Sequence, residues 1–441
     1  MFIFSNLLAA FTAACIGHTL AVPIIVNHGG VTDLVITSQD TVNETISVHK
    51  HVKAAPASVS ASEPLYISVY NNLNSESVNV YVTGRDSDGY IVLLTPDGTW
   101  YTPPEASGGT IPQQITEDIS IPIGTYGTTT SIILPSYVSS GRVWVADGHL
   151  TFFTVEAAIG ILSLVEPSAV NPEDPSADVN WGFVELTTDS SGITVNISHV
   201  NFIGLPLGIE VQGSYGTQTA IGVTMNALSS ICNALVIQTS LDGQPWNELC
   251  ITDSSGNVLR VIAPYDYIML YPNAFSSYWT NYVSRVWTTY ETTPLTIDTQ
   301  ALAGLVNCTV SGGILSCAGD NRGYPQPVAS DIFGCNSGPF AIEPTDNAVH
   351  RAVVPRLCAA FDRSTLLLRG GDKQPRLDSS YYYAVPPTNH YSKIVHQYLA
   401  DGKGYAFSYD DVTPDGAPNA SGLLSDPSPS LLTITIGGPM P

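Results

Sequence analysis

Positive charge is scarce in this chain. Lys and Arg number 15 in 441 residues, against 38 Asp and Glu, for a formal charge of −23. A surface of that sign repels phosphate backbones, which counts against nucleic acid as a partner. Charged residues of both signs make up only 12%. Thr, Ser, Gly, Pro and Tyr are abundant instead, a balance that suits a β-rich exported protein better than a cytosolic helical one. After the N-terminus no apolar stretch is long enough to span a bilayer, so no membrane anchor is expected. No CxxC occurs and no His/Cys spacing suits zinc, so neither a metal nor another cofactor is expected. No phosphate-binding loop, dinucleotide fingerprint or kinase set is present. No GxSxG elbow follows a strand, which counts against a Ser-His-Asp hydrolase.

What is present begins with "MFIFSNLLAAFTAACIGHTLAVP". This apolar segment ends in small residues and reads as a secretory signal cleaved near Ala21, although it lacks a basic start. Residues 22–61 form a polar leader, with "VHKHVKAAPASVSASEP" as a linker. Beyond the signal lie Cys232, Cys250, Cys308, Cys317, Cys335 and Cys358. An even number in an exported chain suggests three disulfides, and neighbour pairing is the simplest of the fifteen connectivities. N-glycosylation sequons fall at Asn43, Asn196, Asn307 and Asn419, of which Asn43, Asn196 and Asn419 are the expected acceptors.

From Leu65 onward, "LYISVYNN", "SVNVYVTG", "TSIILPS" and "GRVWVADG" alternate apolar and polar residues between turn signals, which predicts strands. Residues 181–188 and 193–212 add two more. Helical spacing appears later, at 224–237, at 272–290 behind Pro272, at 344–361 and at 390–400. The stripe Phe275, Tyr278, Trp279, Tyr282, Val283, Val286 and Trp287 is either core or a platform for sugar rings. Strands return near the C-terminus in "SLLTITIGG". The order predicts a mainly β module over 62–441, a sandwich or barrel, with an α/β portion inserted at about 215–400.

Carboxylates are the remaining candidates for chemistry. Hydrolysis of a glycosidic bond needs a protonated acid for the leaving oxygen and a second group to activate water. Glu185 in "FVEL" has the apolar frame that raises a carboxyl pKa. Strand alternation allows the opposite reading, a residue facing solvent.

The segments "WGFVELT…ISHVNFIGLPLGIEVQG", "GCNSGPF", "RLCAAFDRSTLL", "TNHYSKIVHQYLADGKGYAFSYDDV" and "SDPSPSLLTITIGG" resemble glycoside hydrolase family 64, β-1,3-glucanases related to thaumatin-like proteins, in its fungal branch. The resemblance implies a thaumatin-like β-sandwich or barrel against a mixed α/β part, with a wide cleft between them. It implies inverting, endo-type hydrolysis of β-1,3-glucan to short laminari-oligosaccharides by a secreted or cell-wall monomer. The family's acid falls on Glu185, and Thr187 falls on its sugar-binding surface. The position of its general base, an Asp in the family, is Asn201 here.

An amide is no general base. Asp189 is the nearest substitute. On a regular strand 185 and 189 share a face about 13 Å apart, longer than the ~6.5–9.5 Å of an inverting pair, and a turn at "TDSSG" could shorten that span. Asp410 and Asp411 in "YAFSYDDV" are further candidates for a place beside substrate, with a structural role equally open. A protein that binds β-1,3-glucan without cutting it is the alternative.

Overall fold

The computed structural model describes residues 24–25, 64–104, 111–158 and 161–439. The signal segment, Asn43 and all of the leader except Ile24–Ile25 lie outside them. Two sheets face each other. The larger has eight strands; its core runs Gly192–Ile197, Asn180–Asp189, Ser139–Asp147 and Val78–Arg85, all antiparallel. The smaller has five, with Leu65–Asn71 parallel to the C-terminal Pro429–Ile436, so the two ends of the module close on each other.

Alternation along Asn180–Asp189 explains how one strand serves two layers. Val184 and Leu186 point into the sandwich core with Val80, Val82, Val143, Val145, Ile209, Val211 and Ile434. Trp181 and Phe183 point the other way, into a second core with Tyr81, Trp144, Phe152 and Phe202. The rings touch in tilted and edge-on pairs, such as Trp181–Phe202 at 4.6 Å between centroids. Two cores on opposite faces of one sheet make it the central layer of the molecule.

The second core continues into a region of helices and small sheets. Helices cover Ala227–Asp242, Pro264–Leu270, Thr280–Tyr290, Ala348–Asp362 and His390–Tyr398. The expected helix behind Pro272 therefore starts eight residues late. Phe275 takes a left-handed backbone, φ +55°, which interrupts the helical path. Phe275, Trp279, Tyr282, Val286 and Trp287 are all buried, so the aromatic stripe is core. The disulfides pair neighbours: Cys232–Cys250, Cys308–Cys317 and Cys335–Cys358.

The long strand expected over 193–212 is three separate pieces, Gly192–Ile197, Phe202–Ile203 and Leu207–Gly213. Its middle is diverted. Ser198 bridges to Tyr405, His199 N–H donates to the Tyr405 carbonyl at 2.7 Å, and Phe202 pairs with Ile262 in a different sheet.

Candidate active site

Glu185 sits on the same face of its strand as Trp181 and Phe183, at the point where that face emerges from the aromatic core. Its cross-strand neighbours are Arg142 on one side and Asn196 on the other. Arg142 Nη2 donates to Glu185 Oε1 at 3.3 Å, while its Nη1 pairs closely with Glu166 Oε2. Glu185 is 36% exposed and Glu166 10%. Burial pushes the Glu166 carboxyl above its ordinary range, with Arg142 opposing. The guanidinium also lies over the Phe183 ring, 4.6 Å from its centroid. One cation thus fixes two carboxylates, and the deeper one anchors it.

These groups line a groove of about 580 Å³ between the large sheet and the α/β part. The sheet contributes Arg142, Glu185, Thr187 and Asn196, and the far wall contributes Asn201, Tyr265, Asp266 and Met269.

Asn201 is held there by backbone. Its carbonyl accepts from Ala263 N–H at 2.6 Å, the residue that opens the Pro264–Leu270 helix. Its amide Nδ2 donates to both oxygens of Asp266 at 3.3 Å each. Asp266 is buried. Burial pushes its carboxyl up to about 7, and the Asn201 hydrogen bond only partly opposes that.

Gly204 makes this path possible. A Cβ there would meet the Trp181 carbonyl at 2.1 Å, because the segment carrying Asn201 crosses directly over the Glu185 strand. Gly204→Ala is therefore expected to destabilise the fold by about 1–3 kcal/mol, as overpacking does, and to displace Asn201. Chemical denaturation and glucanase rate measure the two effects.

Residues 63–436 match the family model described as β-1,3-glucanase, glycoside hydrolase 64. The chain belongs to that family. It is 29% identical over 391 residues to a glucan endo-1,3-β-glucosidase of Cellulosimicrobium cellulans, covering 85% of this chain and 67% of that protein. A second glucan endo-1,3-β-glucosidase, from Arthrobacter sp. (strain YCWD3), is also 29% identical, over 402 residues, covering 87% of this chain and 69% of the relative. Among solved structures, a laminaripentaose-producing β-1,3-glucanase in complex with laminaritetraose superposes with a TM-score of 0.73 at 28% identity, covering 85% of this chain and 98% of that one. A β-1,3-glucanase domain from Clostridium beijerinckii gives 0.66 at 20% identity over 87% of this chain and all of that one, a likeness of fold.

Within this family frame the sequence-derived candidates separate. Glu185, Thr187 and Asn201 meet in the groove. Asp189 does not. It sits exposed at the hairpin end and accepts from the Ser191 hydroxyl and, at 2.6 Å, from Ser191 N–H, which together draw its carboxyl down. That makes it a turn residue outside the groove lining. Asp410 is fully buried in an ion-pair network with Arg363 and His396, and Asp411 faces out beside it; neither lines the groove. The structure sets Asp410 in the interior and Asp411 at the surface, both apart from the groove lining. Asn196 stands next to Glu185 on the groove wall, where a glycan would fill the space of a substrate. Asn419 is exposed. Sequence reading missed Arg142, Glu166 and Asp266.

Proposed function

We propose that this chain hydrolyses β-1,3-glucan within the polysaccharide, with inversion, releasing short laminari-oligosaccharides outside the cell. The observation that carries this reading is Glu185, presented by the central sheet into an open groove, with a second carboxylate, Asp266, lining the groove from the far wall. Glu185 donates its proton to the leaving oxygen, as the family resemblance implies. Arg142 and Glu166 behind it hold the side chain in place, and a positioned acid is worth about 10²–10⁴-fold. Thr187, two residues on and facing the same side, offers a hydroxyl to the sugar. Three disulfides and the apolar N-terminal segment support action in an oxidising, extracellular setting.

The test is incubation of the purified protein with linear, insoluble β-1,3-glucan, followed by chromatography and NMR of the fresh products. Discrete oligosaccharides that appear first as α-anomers support the proposal. Retention on the glucan without any product favours the other reading, a binding protein, which Asn201 in the base position specifically suggests.

A further inference from the structure

We infer that Asp266 is the general base of this enzyme, standing in for the family's carboxylate that Asn201 replaces. The inference rests on the hydrolase reading above. Asn201 and Asp266 form one unit: the amide donates to both carboxylate oxygens, and both residues line the groove that holds Glu185. The carboxylate missing from position 201 is present one hydrogen bond away, brought there by the pairing of Phe202–Ile203 with Val258–Ile262.

Most other buried acids are already matched within the protein. Asp410 has Arg363 and His396, Asp346 and Asp320 have His350, and Glu166 has Arg142. Asp266 makes no ion pair among the described residues; Asp331 and Asp426 lack one too, but they accept backbone N–H groups of Val328 and of Ser214, Tyr215 and Ser428, and neither lines the groove. The neighbours of Asp266 are the Asn201 amide and the neutral phenols of Tyr265 and Tyr391, while Arg142, Glu166 and Glu185 are the other charged groups of the same groove. Asp362 is similarly held by an amide, Asn389, but lies in the core against the Cys335–Cys358 disulfide and does not line this groove. An unpaired buried carboxylate costs stability, and its retention where a substrate fits points to chemistry.

The step balances without any cofactor. A water held by Asp266, with the Asn201 side-chain Oδ1 as its second acceptor, attacks C1 from the α face. The new C1–O bond forms as the bond to the leaving O3 breaks. Asp266 takes a proton from the water, and O3 takes the proton of Glu185. Solvent then removes the first proton and restores the second.

Three measurements test the assignment. The first uses the wild-type chain on laminaribiosyl β-fluoride, whose fluoride departs without a proton donor, so the rate reports the base alone. It is expected to rise about tenfold per pH unit below pH 7 and level off above it, because the Asp266 carboxyl titrates at about 7. A rate that is flat across pH 5–8 overturns the proposal. The second is Asp266→Asn, expected to lose about 10²–10⁴-fold in kcat on fluoride and glucan alike with KM little changed. The third is the exchange Asn201→Asp with Asp266→Asn, which returns the carboxylate to the family position and is expected to recover activity over Asp266→Asn. A folded Asp266→Asn chain of nearly wild-type rate, or a loss carried by Glu166→Gln in its place, overturns the proposal. A wild-type chain inert on both substrates overturns the hydrolase reading itself.

Discussion

Glu185→Gln is expected to lose about 10²–10⁴-fold in the rate of product release from β-1,3-glucan while staying folded and bound to the polysaccharide. The loss follows from the leaving group. A sugar hydroxyl is a poor one, and without a proton donor it departs as an alkoxide. Gln matches Glu in shape but offers no acidic proton. The fold should tolerate the change because Arg142, the cation beside Glu185, keeps Glu166 as its closer partner. Glu166→Gln is the informative contrast. It leaves Arg142 with the more exposed carboxylate alone, so the expected loss is in stability first and in kcat second. Initial rates, glucan co-sedimentation and denaturant midpoints on the three chains separate these effects. A Glu185→Gln chain retaining more than about a tenth of the wild-type rate would sink the assignment of Glu185 as acid.

The buried Asp266 carries a separate signature in stability. Its folded pKa, about 7, lies above the ordinary carboxylate value of 3.8. Between those values the folded chain binds the extra proton, so this group's contribution to stability declines as pH rises from about 4 to 7. Asp266→Asn removes that decline. The variant is therefore expected to match the wild type in stability near pH 4 and to exceed it above pH 7, in the direction opposite to its activity. A formal net charge of −23 points on its own to a protein best suited to acid, where self-repulsion weakens. The titration of Asp266 places the useful range of the base above that.

How the sequence revealed Glu185 and hid Asp266 is a matter of range. The alternation in "WGFVELT" is local: with Val184 and Leu186 in a core, the period of two puts Glu185 and Thr187 together on the other face. Neighbour disulfides are short-range as well, closing separations of 18, 9 and 23 residues. Asp266 comes from 65 residues beyond Asn201, through a two-residue strand that no periodicity marks. Its local context, "APYDYIML", reads as a helix start with an acid in the first turn, which is what it also is. Arg142 and Glu166 were missed for the same reason, since the register that sets Arg142 opposite Glu185 is a tertiary fact. Asp189 and Asp410 misled in opposite ways. The first is near in sequence but turned out to solvent by Ser191. The second has an acidic neighbour and an aromatic frame, but its charge is already matched inside the protein.

That matching makes Arg363→Met the substitution with the largest expected effect on the fold, about 3–5 kcal/mol, the usual result of breaking a buried pair from one side. Arg363 Nη2 donates to the Asp410 carboxylate and to its carbonyl, both at 2.9 Å, and Nη1 donates to the Val412 carbonyl. The guanidinium also stacks 4.2 Å from the Tyr382 ring centroid. His396 Nε2 lies 2.6 Å from the second Asp410 oxygen, which also accepts from Ala406 N–H. Burial disfavours charge on all three groups, yet Asp410 holds His396 above its usual range, and His396 with Arg363 holds Asp410 below its own. A raised His contributes stability that is full below its unfolded pKa and lost as pH rises through the folded one. A lowered Asp contributes stability present above its unfolded pKa and lost as pH falls through the folded one. With Arg363 gone, protonated His396 still neutralises Asp410 in mild acid. Above the His396 pKa the Asp410 anion is left buried without a counterion. The destabilisation of Arg363→Met should therefore grow with pH across that titration, measured by urea unfolding at a series of pH values. The Asn201 segment hangs on Tyr405 of the same loop, so activity should fall in step with the unfolded fraction. A loss of under about 1 kcal/mol, or one that shrinks as pH rises, would show that the network is not what holds this loop to the Ala348–Asp362 helix.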